Sequence, residues 1–223
     1  MPQIIIDPAQ HGNPVATIRL NIIPPTVRRF GYAPDFSLCK PGDLILFSSR
    51  VPGFIDHQIE RTQHLIGLAG EHARWTHAAV FLYEDFIVEA APTAGVVTRS
   101  IYLDVPDKIL RVRRCPNLSD EDRYKIALCA QRMLGSRYNM AIAISAGLRA
   151  RFNVWNRYWF RVARPTIICS KVFYDAHVEI TRTLLADCPL DELVTPAHLS
   201  ATDSLHDVHI PWLRVPPAAS HDT

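Results

Sequence analysis

The sequence predicts an α+β fold in which a small antiparallel sheet packs against helices. Three observations support this. Short apolar, strand-like runs fall mostly between residues 44 and 113, and helical patterns dominate from Ser119 onward. The third is composition: 48% of the 223 residues are hydrophobic and 21% are charged, which suits one globular domain with a sizeable core.

The chain divides at two points. Residues 1–37 hold several prolines and little periodicity, so we interpret them as an irregular arm with one short strand near residues 16–22. Residues 38–215 carry the periodic patterns and form the predicted domain, and residues 216–223 form a flexible tail. No internal repeat or low-complexity tract divides the domain further.

The predicted sheet begins after a Lys40–Asp43 turn and is interrupted by one helix, expected over residues 54–72 from its apolar spacing. Glu84-Asp85 forms a tight turn between two apolar runs, which predicts a hairpin. The predicted strands are Leu44–Ser48, His77–Tyr83, Phe86–Ala90, Gly95–Ser100 and Lys108–Arg113.

Three helices are predicted to follow the sheet. Ser119 can cap the first one, with Asp122 placed to reach back, and Gly135 stops it after about Leu134. A second helical stretch covers about 139–162, and the third runs from about Cys169 to Leu185.

Charge and composition exclude several classes of function. A net charge of +2 gives no support for nucleic-acid binding. No apolar run reaches the roughly 18 to 20 residues that span a bilayer, and Met1–Ala9 lacks a secretory signal. The default expectation is a cytoplasmic protein, with secretion by a route that needs no signal left open. Five cysteines without a close CxxC pair argue against a disulfide framework or a zinc site, and no cofactor is expected.

Cys169 is the predicted nucleophile. It follows the apolar residues Ile167 and Ile168 and opens a helical pattern, so it is expected in a first helical turn. Unpaired N–H groups at a helix N-terminus favour the thiolate, and an adjacent imidazolium favours it further. The alternative is a buried core cysteine, a common fate of a free thiol.

His77 and Glu89 are the residues expected to serve that thiol. His77 opens an apolar strand 92 positions before Cys169, and the predicted hairpin places Glu89 beside it on the next strand. An imidazole between a thiol and a carboxylate is the arrangement of a general base with its orienting group. The alternatives are a backbone carbonyl as the partner of His77 and an edge-strand position for Glu89.

Four short motifs resemble the circularly permuted NlpC-type papain-like proteins. They are Gly42-Asp43 before a strand, residues 75–77 opening a hairpin, residues 88–90 closing it, and Cys169-Ser170 opening a later helix. The similarity points to the YiiX-like branch, with the lecithin retinol acyltransferase group as a more distant arm. In that superfamily His precedes Cys, and the spacing of 12 from His77 to Glu89 also matches.

Two further stretches resemble the family with one departure each. Residues 134–139 resemble its Gly-x-x-Tyr-Asp stretch, with Asn139 in place of Asp. Residues 195–199 resemble its Thr-Pro-Ala-Asp-Leu tail, with His198 in place of Asp. The resemblance covers about residues 38–210.

The resemblance implies a papain-like α+β fold, circularly permuted, and a Cys169–His77–Glu89 catalytic triad. Such proteins are thiol hydrolases, of amidase or peptidase type, or acyl transferases acting on amide or ester carbonyls. Their substrates would be peptides, amides or lipid-acyl groups. Tyr138 is a candidate second oxyanion donor beside the Cys169 backbone N–H, with a core tyrosine as the alternative.

Other classes of function remain open at this point. His57, Glu60 and His64 have helix-compatible spacing for a metal hydrolase, with His206 and His209 in the tail, although surface histidines explain them as well. A catalytically silent binding module could keep the same groove. Residues 148–164 carry aromatic and basic residues on separate helical faces, which suits either peripheral membrane contact or a core helix with snorkelling arginines.

Overall fold

Eight strands and five helices make up the part of the chain that this computed structural model describes, residues 23–68, 70–138, 168–188 and 194–215. The helices are α1 Pro25–Phe30, α2 Phe54–Leu65, α3 Asp120–Arg132, α4 Cys169–Thr181 and α5 Pro196–Ala201. The strands are β1 Tyr32–Pro34, β2 Leu44–Ser49, β3 His77–Tyr83, β4 Phe86–Ala91, β5 Gly95–Ser100, β6 Lys108–Arg114, β7 His206–Val208 and β8 Trp212–Arg214.

Six strands form one antiparallel sheet in the order β5-β4-β3-β2-β6-β7, and β1 pairs with β8 in a separate ribbon. The predicted hairpin is confirmed: β3 and β4 pair about Glu84-Asp85, with Ala79 opposite Glu89 and Val80 opposite Val88. The α+β class predicted from the order of patterns is confirmed as well.

Alternation along the strands gives the sheet two buried faces. Leu44, Leu46, Ala78 and Val80 belong to a core cluster with residues of α3 and α4. The residues between them belong to a second cluster, which the chain's first and last described segments complete. Its members include Ile45, Phe47, Ala79, Val27, Phe36 and Trp212. The sheet is therefore the middle of three layers, and both of its faces are shielded from water.

The two long helices behind the sheet begin where local sequence predicts. The Ser119 hydroxyl accepts a hydrogen bond from the Asp122 N–H, which caps α3 as expected. Cys169 is the first residue of α4, after an extended Ile168. Helix α4 packs against both α3 and β3, so its N-terminus is fixed beside the start of β3.

Several segments differ from expectation. Helix α2 ends at Leu65 instead of residue 72, because Gly67 adopts a left-handed φ of +89° just after it. Residues 25–34 form α1 and β1 where an irregular arm was expected, and α4 ends at Thr181, not near Leu185. The predicted strand near 16–22 and helix over 139–162 lie outside the described residues.

Across the described ranges, no helix combines the length and apolar character that crossing a bilayer would require.

Candidate functional site

The sheet brings His77 and Glu89 together. Both residues lie on the face that carries Phe47 and Ala79, because Phe47 pairs with His77 and Ala79 pairs with Glu89. His77 Nε2 lies 2.6 Å from Glu89 Oε2 and donates a hydrogen bond to it. The side chain of Glu89 is 4% exposed, whereas that of His77 is 24% exposed. The ring therefore joins a buried carboxylate to the surface.

Cys169 reaches the same ring from the other layer. It belongs to the core cluster on the α3–α4 side of the sheet, and its thiol lies close enough to His77 to raise the pKa of the ring. The contact is possible because His77 is the first residue of β3, where α4 also begins. Since Glu89 occupies Nε2, Nδ1 is the ring nitrogen left for the thiol. The three predicted residues are thus adjacent in the order thiol, imidazole, carboxylate.

The charges of this group support one another. Burial opposes a charge on the ring, but Cys169 and Glu89 together raise the pKa of His77 to about 10. Burial also opposes a charge on Glu89, yet His77 and Arg99 lower the pKa of its carboxyl to about 2. At neutral pH the ring therefore holds a proton and the carboxylate remains ionised.

Arg99 is a component of the site that sequence reasoning missed. Its Nε donates to Glu89 Oε1, and its Nη2 lies 3.0 Å from Glu89 Oε2 and 2.6 Å from Asp104 Oδ2. Val97 pairs with Glu89, and Arg99 is two residues further along β5, hence on the same face. Arg99 could be found only after that register was known.

A second network fixes the start of β3. Asp56 on α2 accepts hydrogen bonds from the Thr76 hydroxyl and the Ser49 hydroxyl, each at 2.8 Å. Burial raises the pKa of the Asp56 carboxyl, but hydrogen bonds from Gly53, Thr76 and Ser49 outweigh that effect and lower it. Thr76 directly precedes His77, so this network fixes the backbone at His77 relative to α2.

Gln63 holds the adjoining loop. It is fully buried, and its Nε2 donates to the carbonyls of Ala73 (2.7 Å) and Trp75 (3.0 Å). Its Oε1 accepts from the Ala197 N–H at 2.9 Å. One amide therefore joins α2, the loop before His77 and the start of α5, and all these elements border the thiol.

A cleft opens beside Cys169 and encloses about 410 Å³, including the part open to solvent. The titratable side chains among its described lining residues are those of Cys169 and Tyr138, and the others are apolar, hydroxyl or amide side chains. The lining residues are Ile59, Thr62, Gln63, Thr76, Tyr138, Ile168, Cys169, Ser170, Thr195 and Pro196. The thiol is thus at the edge of an uncharged, partly open depression.

Tyr138 lines this cleft, while Asn139 lies outside the described residues. The chain before Tyr138 is tied to β5: Val96 N–H donates to the Ser136 carbonyl at 2.9 Å. Only glycine fits at position 95, because a Cβ there would collide with Ser136 and the φ is +74°. Burial and the charge of Cys169 raise the pKa of the Tyr138 phenol, which keeps its hydroxyl protonated as a donor.

The other cysteines have different surroundings. Burial raises the pKa of the Cys39 thiol, and Asp43 raises it further. Burial likewise raises the pKa of Cys129 and of Cys188 to about 11. Cys115 is half-buried. Cys169 differs from these four because it lies beside an imidazole and raises the pKa of His77.

His198 explains the departure at the tail motif. It lies in α5, and its Nδ1 accepts a hydrogen bond from the Thr195 N–H at 3.1 Å, while the Thr195 hydroxyl caps the His198 N–H. Burial lowers the pKa of His198, so the neutral ring can accept this bond. The imidazole therefore makes the reciprocal cap that an acidic side chain makes in a capping box.

Comparison with solved structures shows a similar fold in a known protein. The fold is similar to the crystal structure of the metalloprotein yiiX from Escherichia coli O157:H7, with a TM-score of 0.52 and 19% sequence identity. The match covers 78% of this chain and 98% of that chain. No protein-family model matches the sequence, and no curated protein matches it. At this identity the similarity concerns the fold alone.

The yiiX protein is described as a metalloprotein, which raises the question whether residues of this chain could bind a metal. Within the described ranges, no group of three or more His, Cys, Asp or Glu residues could hold a metal ion. At the candidate site His77 Nε2 and both Glu89 oxygens are already engaged by one another or by Arg99. His57 and His64 are exposed on α2, where Glu60 lies 4.0 Å from His64 Nε2. The described residues do not fit a metal centre.

Proposed function

We propose that this protein is a cysteine-dependent hydrolase or acyl transferase that cleaves an amide or ester carbonyl through a thioester. The observation that carries the proposal is the 2.6 Å hydrogen bond between the His77 ring and the buried Glu89 carboxylate. The same ring lies beside the thiol of Cys169. A papain-like, circularly permuted arrangement is part of this proposal, because the strand with His77 precedes the helix with Cys169.

Before reaction, His77 carries the proton of the Cys169 thiol. Glu89 stabilises this protonated ring. The sulfur of Cys169 attacks the substrate carbonyl carbon, and the C=O electron pair moves to oxygen. N–H groups in the first turn of a helix lack intrahelical partners, so the Cys169 N–H can donate to that oxygen. The Tyr138 hydroxyl, in the same cleft, is the proposed second donor.

The intermediate collapses when His77 gives its proton to the leaving amine or alcohol, which departs and leaves a thioester on Cys169. Water, or an acceptor amine or hydroxyl, then attacks the thioester carbonyl while His77 accepts the proton of the attacking group. The C–S bond breaks and the thiol–imidazole pair is regenerated. Glu89 keeps its charge throughout and stabilises the ring when it is protonated.

The walls of the cleft favour a neutral acyl group next to the scissile carbonyl, since Ile59, Ile168 and Pro196 offer no charge. Peptides, isopeptides, lipid amides and phospholipid esters all include such groups. Membrane contact through residues 148–164, which lie outside the described residues, stays a prediction.

The test is labelling with limiting iodoacetamide at pH 7, followed by mass mapping of all five cysteines. We expect Cys169 to label first in the wild type and to lose that preference in His77→Ala. His72→Ala is the matched control, because His72 is another half-buried histidine, bonded to Ser200 and not to a thiol. Equal labelling of all cysteines, or an unaltered preference in His77→Ala, would contradict the proposal and favour a catalytically silent binding module.

A further inference from the structure

We propose that Arg99 is a positioning residue of this site: anchored on Asp104, it fixes the Glu89 carboxylate so that Glu89 holds the His77 ring toward Cys169. This inference deepens the proposed function and rests on it. It concerns how the base is oriented, and it assigns to Arg99 a role beyond the stability of the sheet.

The guanidinium of Arg99 binds both oxygens of the Glu89 carboxylate. Register places Glu89 opposite Val97 and Ile87 opposite Arg99, so Glu89 and Arg99 are diagonal neighbours on one face of β4 and β5. Nε of Arg99 donates to Oε1, and Nη2 donates to Oε2 at 3.0 Å. Two parallel bonds fix the plane of the carboxylate, as a single bond would not.

Asp104 holds the Arg99 guanidinium from its other side. Its Nη2 also lies 2.6 Å from Oδ2 of Asp104, the residue that ends the turn Ile101–Leu103 after β5. The exposed fractions are 26% for Arg99, 11% for Asp104 and 4% for Glu89. A guanidinium held between two largely buried carboxylates has little freedom to change its direction.

The position of the Glu89 carboxylate determines the orientation of the His77 imidazole. Oε2 of Glu89 is shared by Arg99 Nη2 and by His77 Nε2. The last torsion of a glutamate is soft, so without Arg99 the carboxylate could turn away from the ring. The ring would then lose the bond that keeps Nε2 inward and leaves Nδ1 for the thiol.

The identity of the residue fits this role. Arginine offers a planar fork whose donors can meet Glu89 and Asp104 at once, whereas lysine offers a compact point charge. We therefore expect lysine at position 99 to keep the charge balance but only part of the orientation.

Several charged or titratable groups face Glu89 and His77. Arg99 comes from β5, Asp104 from the turn after it, and Cys169 from α4, with Tyr138 beside Cys169. Burial raises the pKa of Asp104, although Arg99 partly offsets this effect. Removal of Arg99 would leave two buried carboxylates with one fewer cation, so protonation of Glu89 should move to higher pH.

The experiment compares Arg99→Gln and Arg99→Lys in the full chain, with Arg114→Lys as the matched control. Arg114 makes a comparable two-bond pair with the buried Asp43, away from His77. One readout is the pH profile of Cys169 alkylation; the other is the ¹⁵N spectrum of the His77 ring. In Arg99→Gln we expect alkylation at pH 7 to slow about tenfold or more and the acid limb to move up by about one pH unit or more.

Arg99→Lys should lie between Arg99→Gln and the wild type, and Arg114→Lys should match the wild type in both readouts. A folded Arg99→Gln with wild-type alkylation and an unchanged ring spectrum would overturn the positioning role. If Arg99→Gln does not fold, Arg99→Lys decides by the same criteria. If alkylation proves independent of His77, the proposed function fails, yet the ring spectrum still decides whether Arg99 orients His77.

Discussion

Two buried carboxylates have arginines bound to them: Asp43, directly before β2, and Glu89 in β4. Asp43 is fully buried and accepts from Arg114 Nε at 2.8 Å and Nη2 at 2.6 Å, with Arg123 Nη1 at 3.5 Å. It also accepts from the Lys40 N–H at 2.8 Å. All of these partners are permanent cations or backbone groups, and none of them is among the described residues that line the cleft.

Glu89 has the same kind of bond to Arg99 but one partner of another kind. His77 can gain and lose a proton between a buried carboxylate and a thiol, and Thr76 beside it lines the cleft. A buried carboxylate–arginine pair without further partners therefore serves only the structure. The imidazole of His77 is the group that makes the Glu89 site able to move a proton. The thiols follow the same contrast, because Cys39 lies near Asp43 and Cys169 contacts His77.

The largest expected effect comes from the thiols. Cys169→Ala should lower turnover of any acyl amide or ester substrate by about a thousandfold or more, because the nucleophile is lost. Cys39→Ala removes a thiol of similar burial at the other carboxylate and should leave turnover near the wild-type rate. Thermal unfolding checks that both variants fold. Undiminished turnover by Cys169→Ala would remove the nucleophile from the proposal.

The next effect separates the two carboxylates. Asp43→Asn leaves two arginines without their anion, so we expect a loss of about 3–5 kcal/mol in the free energy of unfolding with the alkylation preference of Cys169 kept. Glu89→Gln should lower that preference, though less than His77→Ala does, because Glu89 orients the ring and does not react. Urea unfolding and alkylation rates measure the two properties on the same samples. If Asp43→Asn and Glu89→Gln had equal effects on alkylation, Glu89 would have only a structural role, as Asp43 does.

The smallest effect is a dependence of stability on acid. The pKa of Glu89 falls from 4.5 to about 2 on folding, so its contribution is present above pH 4.5 and is lost as pH falls through about 2. The difference in unfolding free energy between wild type and Glu89→Gln should therefore shrink below pH 4.5. The part that titrates is on the order of 3 kcal/mol. A difference that stays constant from pH 7 to pH 2.5 would contradict the lowered pKa.

Local patterns predicted the central elements well. Short apolar runs predicted β2 to β6, the Glu84-Asp85 turn predicted the hairpin, and Ser119 predicted the start of α3. These features depend on neighbours within a few residues, whose preferences are visible in the sequence. The hairpin also placed Glu89 beside His77, because register in a tight hairpin follows from its turn.

Features that depend on distant partners were missed. Strands β7 and β8 have three residues each, and β8 pairs with β1 across the length of the domain. Segments this short carry no period of their own, so nothing local marks them as strands. Arg99 was missed for a related reason: its role is visible only once β5 is paired with β4.

The sequence by itself determined the α+β class, the hairpin that carries His77 and Glu89, and a helix that begins at Cys169. Only the tertiary structure decided that the start of β3 and the start of α4 coincide, and that Arg99 and Asp104 stand behind Glu89. The physical reason is one of range. Propensity, capping and turn geometry act within a few residues, whereas contacts between layers depend on how whole faces pack to exclude water.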